Sequence, residues 1–304
     1  MSLPILILIF FLGACVGSFG AVLLEEASPK RSFWTGRSHC IGCKKTLVWY
    51  ELIPLVSYTI QKGKCRLCRS TIPRWIWYLE WYMAFLWMVS AMVLSYAGLS
   101  YFSIALHIVV LTGLSLLVIE DIQSRMISDT RSMPLMGIVF CLYIFLLFVP
   151  IPTLLPSPLM ALIGALIGMF FYMIQMILPA LWAALRQRKS SLLPAILFSP
   201  FVFPLWIVTK ALLWEKKADT IFPSLQAFDD MPSWVGWGDI RLGIIIWALT
   251  GPYDFLYVVM YGYLAGTIYF FVRLLLFREK IKTMPVAPLL FFGICTVWCL
   301  RIFL

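Results

Sequence analysis

Apolar runs, most of them about the length of a bilayer crossing, alternate along this chain with short polar stretches. They occupy 3–24, 76–97, 102–120, 133–150, 157–183, 254–277 and 285–304, and a shorter run at 240–251 follows Gly238-Asp239. About 20 mostly apolar residues suffice to cross the hydrocarbon core. The pattern predicts an all-α polytopic membrane protein with about eight transmembrane helices. Its first run has no basic flank before it and no small-residue cleavage site after it, so a first transmembrane helix is expected over 1–24 rather than a signal peptide. Residues 192–214 are also apolar, yet they contain Pro194, Pro200, Pro204 and Lys210.

Composition agrees with a bilayer as the main solvent: 62% of residues are hydrophobic and 12% charged, against about 25% charged in soluble domains. The net charge of +10 raises nucleic acid as a partner, but the distribution of the cations argues against it. With the N-terminus outside, Lys30, Arg37, Lys44, Lys62, Arg66, Arg131, Arg186, Lys216 and Arg278 all fall inside. The outer loops, Ala97–Tyr101, Pro150–Pro156 and Gly251–Asp254, then carry no Lys or Arg, as the positive-inside rule requires. Arg301 is the one cation near an outer end. A crossing at 192–214 would invert Arg278, Lys280 and Lys282, so a re-entrant or interfacial element is expected there, within an insertion at about 184–235.

Within the basic loop 25–75, Cys40-x-x-Cys43 and Cys65-x-x-Cys68 form two turns separated by 21 residues. This is zinc-ribbon spacing. Each turn can aim two thiolates at one tetrahedral Zn²⁺, and a closed four-sulfur shell leaves no position for catalytic water. Disulfides are the competing reading, which a cytosolic loop disfavours. His39, beside the first turn, is an alternative ligand that reads better as basic flank. Cys15, Cys141, Cys295 and Cys299 lie in apolar spans and read as small hydrophobes.

Acidic residues at a membrane boundary default to functional hypotheses. One cluster runs from Glu120-Asp121 to Asp129, closing the third span; the other, Gly236-Trp237-Gly238-Asp239, opens the short run. The topology places both on one side at similar depth. Two carboxylates that share a proton can polarise water and protonate a scissile carbonyl, and the glycines would permit close backbone or substrate approach. Capping is the structural alternative for Asp129 and Asp239.

These residues resemble the signature of the prepilin peptidases and related GxGD aspartic membrane proteases. The resemblance includes Gly17-Ser18-Phe19, Arg37-Ser38-His39-Cys40, Trp49 to Ser57, Asp121 to Asp129, Gly236 to Asp239 with Arg241-Leu242, and Pro285 to Leu289. It implies that Asp121 and Asp239 are the catalytic pair, with Asp129, Gly236 and Gly238 supporting. It further implies a bacterial inner-membrane, multi-pass enzyme, with thiol module and aspartates facing the cytoplasm, in which 76–304 form the protease domain. Such an enzyme removes the basic leader of type IV prepilins or pseudopilins after Gly, then methylates the new N-terminus with S-adenosylmethionine. Three features depart from the family pattern: Ser128 stands where many members have Pro, Gly20-Ala21 and Glu25-Glu26 replace a Leu-Asn and Arg pattern, and the 184–235 connection is longer than usual. Two other functions compete: a non-catalytic zinc-stabilised assembly protein, and a proton-coupled transporter, which would show internal repeats and midplane broken helices.

Overall fold

Among the described residues of the computed structural model, five helices are long and apolar enough to cross a membrane. Residues 1–25, 38–40, 42–124, 127–149, 151–187, 237–277 and 286–303 are described. The expected re-entrant element at 192–214, Gly236 and most of the 184–235 insertion lie outside them. Among the described residues the architecture is helical, with no β-strand and only two isolated bridges, His39 to Thr46 and Lys64 to Thr71. The chain divides into two compact units, Met1–Thr112 and Gly113–Leu304.

The first unit holds α1 (Leu3–Glu25), the thiol module with the short α2 (Val56–Ile60), and α3 (Arg74–Tyr96), followed by the first half of α4 (Tyr101–Ser124). Gly13 and Gly17 sit four apart on α1, so both point at α3. A Cβ on Gly13 would stand 2.6 Å from the Met83 carbonyl oxygen, and one on Gly17 would stand 2.8 Å from the Glu80 Cα. Small residues substitute here for a hydrophobic driving force, because lipid tails are as apolar as leucine and close backbone approach must supply the attraction.

The second unit holds the second half of α4, then α5 (Asp129–Phe148), α6 (Pro158–Gln187), α7 (Trp237–Phe277) and α8 (Ala287–Phe303). Gly251 interrupts α7 with φ 76 and ψ 177, a conformation open to glycine and strained for other residues. Trp247 and Phe255 stack with centroids 3.7 Å apart, whereas eight residues of straight helix would separate them by about 12 Å along the axis. The chain therefore turns back at Gly251-Pro252, and α7 is two arms rather than one long span. This is the turn expected between the runs 240–251 and 254–277.

Glycines again set the packing. Gly164 and Gly168 of α6 lie against Trp247 in the first arm, while Gly262 and Gly293 bring the second arm and α8 into backbone contact. Replacing Gly293 by Val should cost at least about 1–3 kcal/mol, since its Cβ would lie 2.1 Å from the Val258 carbonyl oxygen. Gly137→Ala, with nothing within 4 Å of the new Cβ, should leave the thermal midpoint in detergent unchanged or slightly raised. Equal midpoints for the two variants would contradict this packing.

Arg301 gains a structural role. It donates to the Leu154 carbonyl oxygen at 2.6 Å and forms an ion pair with Asp254. Three segments expected on the outer side, 150–156, 251–254 and the end of α8, thus meet at one end of this unit.

Candidate metal and carboxylate sites

The two thiol turns are built alike, residue for residue. In the first, the Cys40 N–H donates to the Lys45 carbonyl, Lys44 N–H to Cys40, and Leu47 N–H to Ser38; in the second, Cys65 N–H donates to Ser70, Arg69 N–H to Cys65, and Ile72 N–H to Gly63. Lys44 and Arg69 both adopt φ 60, the left-handed conformation that closes each turn. Equivalent positions differ by 25 in number, a repeat faint in sequence because, besides the cysteines, only Thr46 and Thr71 are identical between the turns.

All four sulfurs lie within 4.8 Å of one another, and Cys40 Sγ stands 3.7 Å from Cys68 Sγ. Four sulfurs at about 2.3 Å from a tetrahedral ion would be about 3.8 Å apart, whereas a disulfide needs about 2.05 Å. The donor set therefore fits a metal. The cluster is made of the four cysteines, without His39. The Ser70 hydroxyl contacts Cys40 and Cys68 at 3.4 and 3.1 Å. Together with the Cys43 backbone it brings the Cys40 thiol down to about 6, and it lowers Cys68 as well. Thiolates are the metal-binding form. Gly42 is confined by Ser70 and Cys68, whose atoms would lie 2.8 and 3.3 Å from an added Cβ. Cys15, Cys141 and Cys299, expected as buried small hydrophobes, are instead exposed on their helices, and Cys295 is intermediate.

In the second unit, Glu120 and Asp121 are both buried in the last turn of α4. Acids at a helix C-terminus oppose the helix dipole and pay desolvation, so both need partners from elsewhere. Glu120 pairs with Arg131, and its Oε1 accepts the Ser128 N–H at 3.1 Å. Asp121 Oδ2 accepts the Ala287 N–H at 2.9 Å. That donor is the first residue of α8, so the carboxylate meets the positive end of another helix. Ala287 belongs to the Pro285 to Leu289 motif, whose contact with Asp121 sequence spacing could not reveal.

Ser128 is the N-cap of α5, and Asp129 is its first helical residue. The N-cap thus falls one residue before Asp129, for which the sequence leaves capping as the structural alternative, and the Ser128 side chain makes no capping hydrogen bond. Ser128 also supplies an N–H that proline would lack. The helix α7 begins at Trp237, which puts Asp239 in its first turn rather than at its N-cap. The side chains of Asp129 and Asp239 lie outside what the structure describes, so their distances to Asp121 are not part of this geometry. Glu120→Gln should loosen the 120–131 clasp by about 1.5–3 kcal/mol, the range for hydrogen bonds to charged groups. Thermal unfolding of the variant measures this, and an unchanged midpoint would remove Glu120 from the support of Asp121.

Fold and sites define a polytopic helical membrane protein carrying a four-thiol metal-binding module. Residues 11–94 match the family model described as the Bacterial Peptidase A24 N-terminal domain. Three proteins named prepilin leader peptidase/N-methyltransferase are similar to this chain. That of Myxococcus xanthus (strain DK1622) is 40% identical over 62 residues, covering 20% of this chain and 18% of the relative. That of Bacillus subtilis (strain 168) is 37% identical over 65 residues, covering 21% and 26%. That of Vibrio cholerae serotype O1 (strain ATCC 39315 / El Tor Inaba N16961) is 32% identical over 80 residues, covering 24% and 32%. The chain therefore matches less than a third of the length of each of these relatives. No solved structure matches. The comparisons support the prepilin peptidase family that the motifs resemble.

Proposed function

We propose that this chain is a prepilin leader peptidase of the bacterial inner membrane. It cleaves the basic leader of type IV prepilins or pseudopilins with Asp121 and Asp239, with Asp129, Gly236 and Gly238 supporting the pair. The observation that carries this reading is the burial of Asp121 at a span terminus, its carboxylate oriented by the Ala287 amide. One carboxylate would polarise the attacking water while the other, protonated, donates to the scissile carbonyl. A prepilin with its leader in the cytoplasm and its apolar stem in the bilayer presents its cut site at the membrane surface, which is the depth expected of both aspartates.

The same reading gives 1–24 as the first span, 25–75 as a cytoplasmic module and 76–304 as the protease domain. Zn²⁺ bound by Cys40, Cys43, Cys65 and Cys68 would have a structural role, joining the two turns. The names of the relatives also support N-methylation of the new N-terminus with S-adenosylmethionine. Among the described residues no cradle for that cofactor is identified, and no methyl-transfer step is assigned to particular side chains. Co-expression with a prepilin tests the reading. Loss of the leader on a gel, with a 14 Da gain at the new N-terminus by mass spectrometry, is expected from the two activities. A prepilin left full-length by well-expressed, membrane-inserted protein would overturn the protease assignment.

A further inference from the structure

The thiol module bears a surface that metal binding does not use. Its connecting segment, Trp49–Ile60, is strongly apolar and outward-facing: Trp49 is 76% exposed, Ile60 63%, and Leu52 and Val56 more than 40%. In the middle of this stretch Leu55 is buried against Ala14 and Ala84. Those alanines lie 11 and 10 residues from the Glu25 and Arg74 ends of α1 and α3. At 1.5 Å per residue, both are about 15 Å along their helices. Leu55 therefore reaches well between the two spans rather than resting on their tips. Its N–H is satisfied by Glu80 Oε2 at 2.7 Å, from a residue about 9 Å into α3, as irregular backbone near a bilayer requires. Tyr58 stacks on Trp77 of α3 at 5.6 Å, fixing the segment beside the spans.

Cations surround this apolar stretch. Lys62, Lys64, Arg66 and Arg69 are exposed, and the Arg66 guanidinium lies 5.0 Å from the Tyr50 ring centroid, tying the second thiol turn to the segment. From Ser38 to Leu79 the sequence contains one acid, Glu51. It is buried and accepts the Val48 N–H at 3.1 Å, so it leaves the surface charge unopposed. Exposed Trp and Tyr beside Lys and Arg, continuous with membrane-crossing helices, are chemistry suited to a lipid interface.

We propose that Trp49–Ile60, with the cations of the second thiol turn, is an interfacial docking surface for the anionic lipid headgroups of the bilayer that α1 and α3 cross. The module lies on the membrane and does not stand off it. This depends on the membrane reading alone and not on the protease assignment.

Hydrogen exchange of the full-length protein in nanodiscs tests it, comparing phosphatidylcholine with and without phosphatidylglycerol. Amides of 49–60 should exchange more slowly with the anionic lipid, and added salt should reduce the difference. A basic residue near an anionic surface contributes about 1 kcal/mol, or roughly fivefold, so Lys62→Gln with Lys64→Gln should recover roughly that factor per charge. Exchange over 76–94 reports whether the variant is folded, and the salt titration of the unaltered protein stands independently of it. Equal exchange in the two lipids, insensitive to salt, would overturn the proposal. Protection that arises only when a prepilin peptide is added would assign the surface to substrate and also overturn it.

Discussion

Asp121→Asn and Asp239→Asn should each reduce leader removal by at least about 10²–10⁴-fold, the span attributed to positioned acid or base groups, while expression and membrane insertion remain normal. Asparagine is the informative choice at position 121. It keeps an oxygen that can accept the Ala287 N–H, so the contact at 2.9 Å can persist and α8 stays anchored to the end of α4. What it loses is the exchangeable proton. Asp121→Ala removes the acceptor as well and should add about 1–3 kcal/mol of destabilisation from the unsatisfied buried amide. The two substitutions separate chemistry from support. Wild-type processing by Asp121→Asn, together with lowered stability of Asp121→Ala, would make Asp121 a cap for α8 supplied by another helix and would return the site to a structural role.

Cys65→Ser should reduce bound zinc from about one ion per chain to nearly none, as the four-sulfur shell loses a buried thiolate. Apparent binding energies of about 10–16 kcal/mol make such ions part of the fold, so the module should lose protease resistance while the spans persist. Metal analysis of reduced, detergent-purified protein is the measurement. Zinc at full stoichiometry in Cys65→Ser would show that the cysteines are not the ligand set. Acidity should act in the same direction. The Cys40 thiol is depressed to about 6, so its thiolate is present above that pH and disappears as pH falls through it. Cys43 in the same set is pushed the other way, up to about 11, so zinc rebinding to stripped protein should weaken progressively as pH falls, because protons compete for all four ligands.

Much of the architecture was legible in the apolar pattern. The runs at 3–24, 76–97 and 102–120 became helices at Leu3–Glu25, Arg74–Tyr96 and Tyr101–Ser124, because a bilayer crossing demands both continuous apolarity and internally bonded backbone. The turn between 240–251 and 254–277 was legible too, since Gly251-Pro252 punctuates the run. The Cys-x-x-Cys pairs disclosed the four-thiol cluster because each turn is local: two residues between cysteines suffice to converge the sulfurs of a pair. The module's membrane-facing character was not legible. Trp49 to Ile60 is too short to register as a span, and hydropathy cannot show that Leu55 enters the groove between α1 and α3.

The sequence by itself determined the apolar spans, the four thiols and the acidic residues at span ends, because these follow from residue type and local spacing. Tertiary structure decided the partners. Asp121 meets Ala287 across 166 positions, and Arg301 meets Leu154 across 147; no periodicity encodes such pairs. The first forms because a buried carboxylate and a helix-terminal amide must find complements wherever packing brings them; the second joins an exposed guanidinium to a chain segment that packing has placed beside it. The close approaches that deliver those groups are set by glycines at 164, 262 and 293, whose missing side chains became meaningful only once the opposing backbone was known.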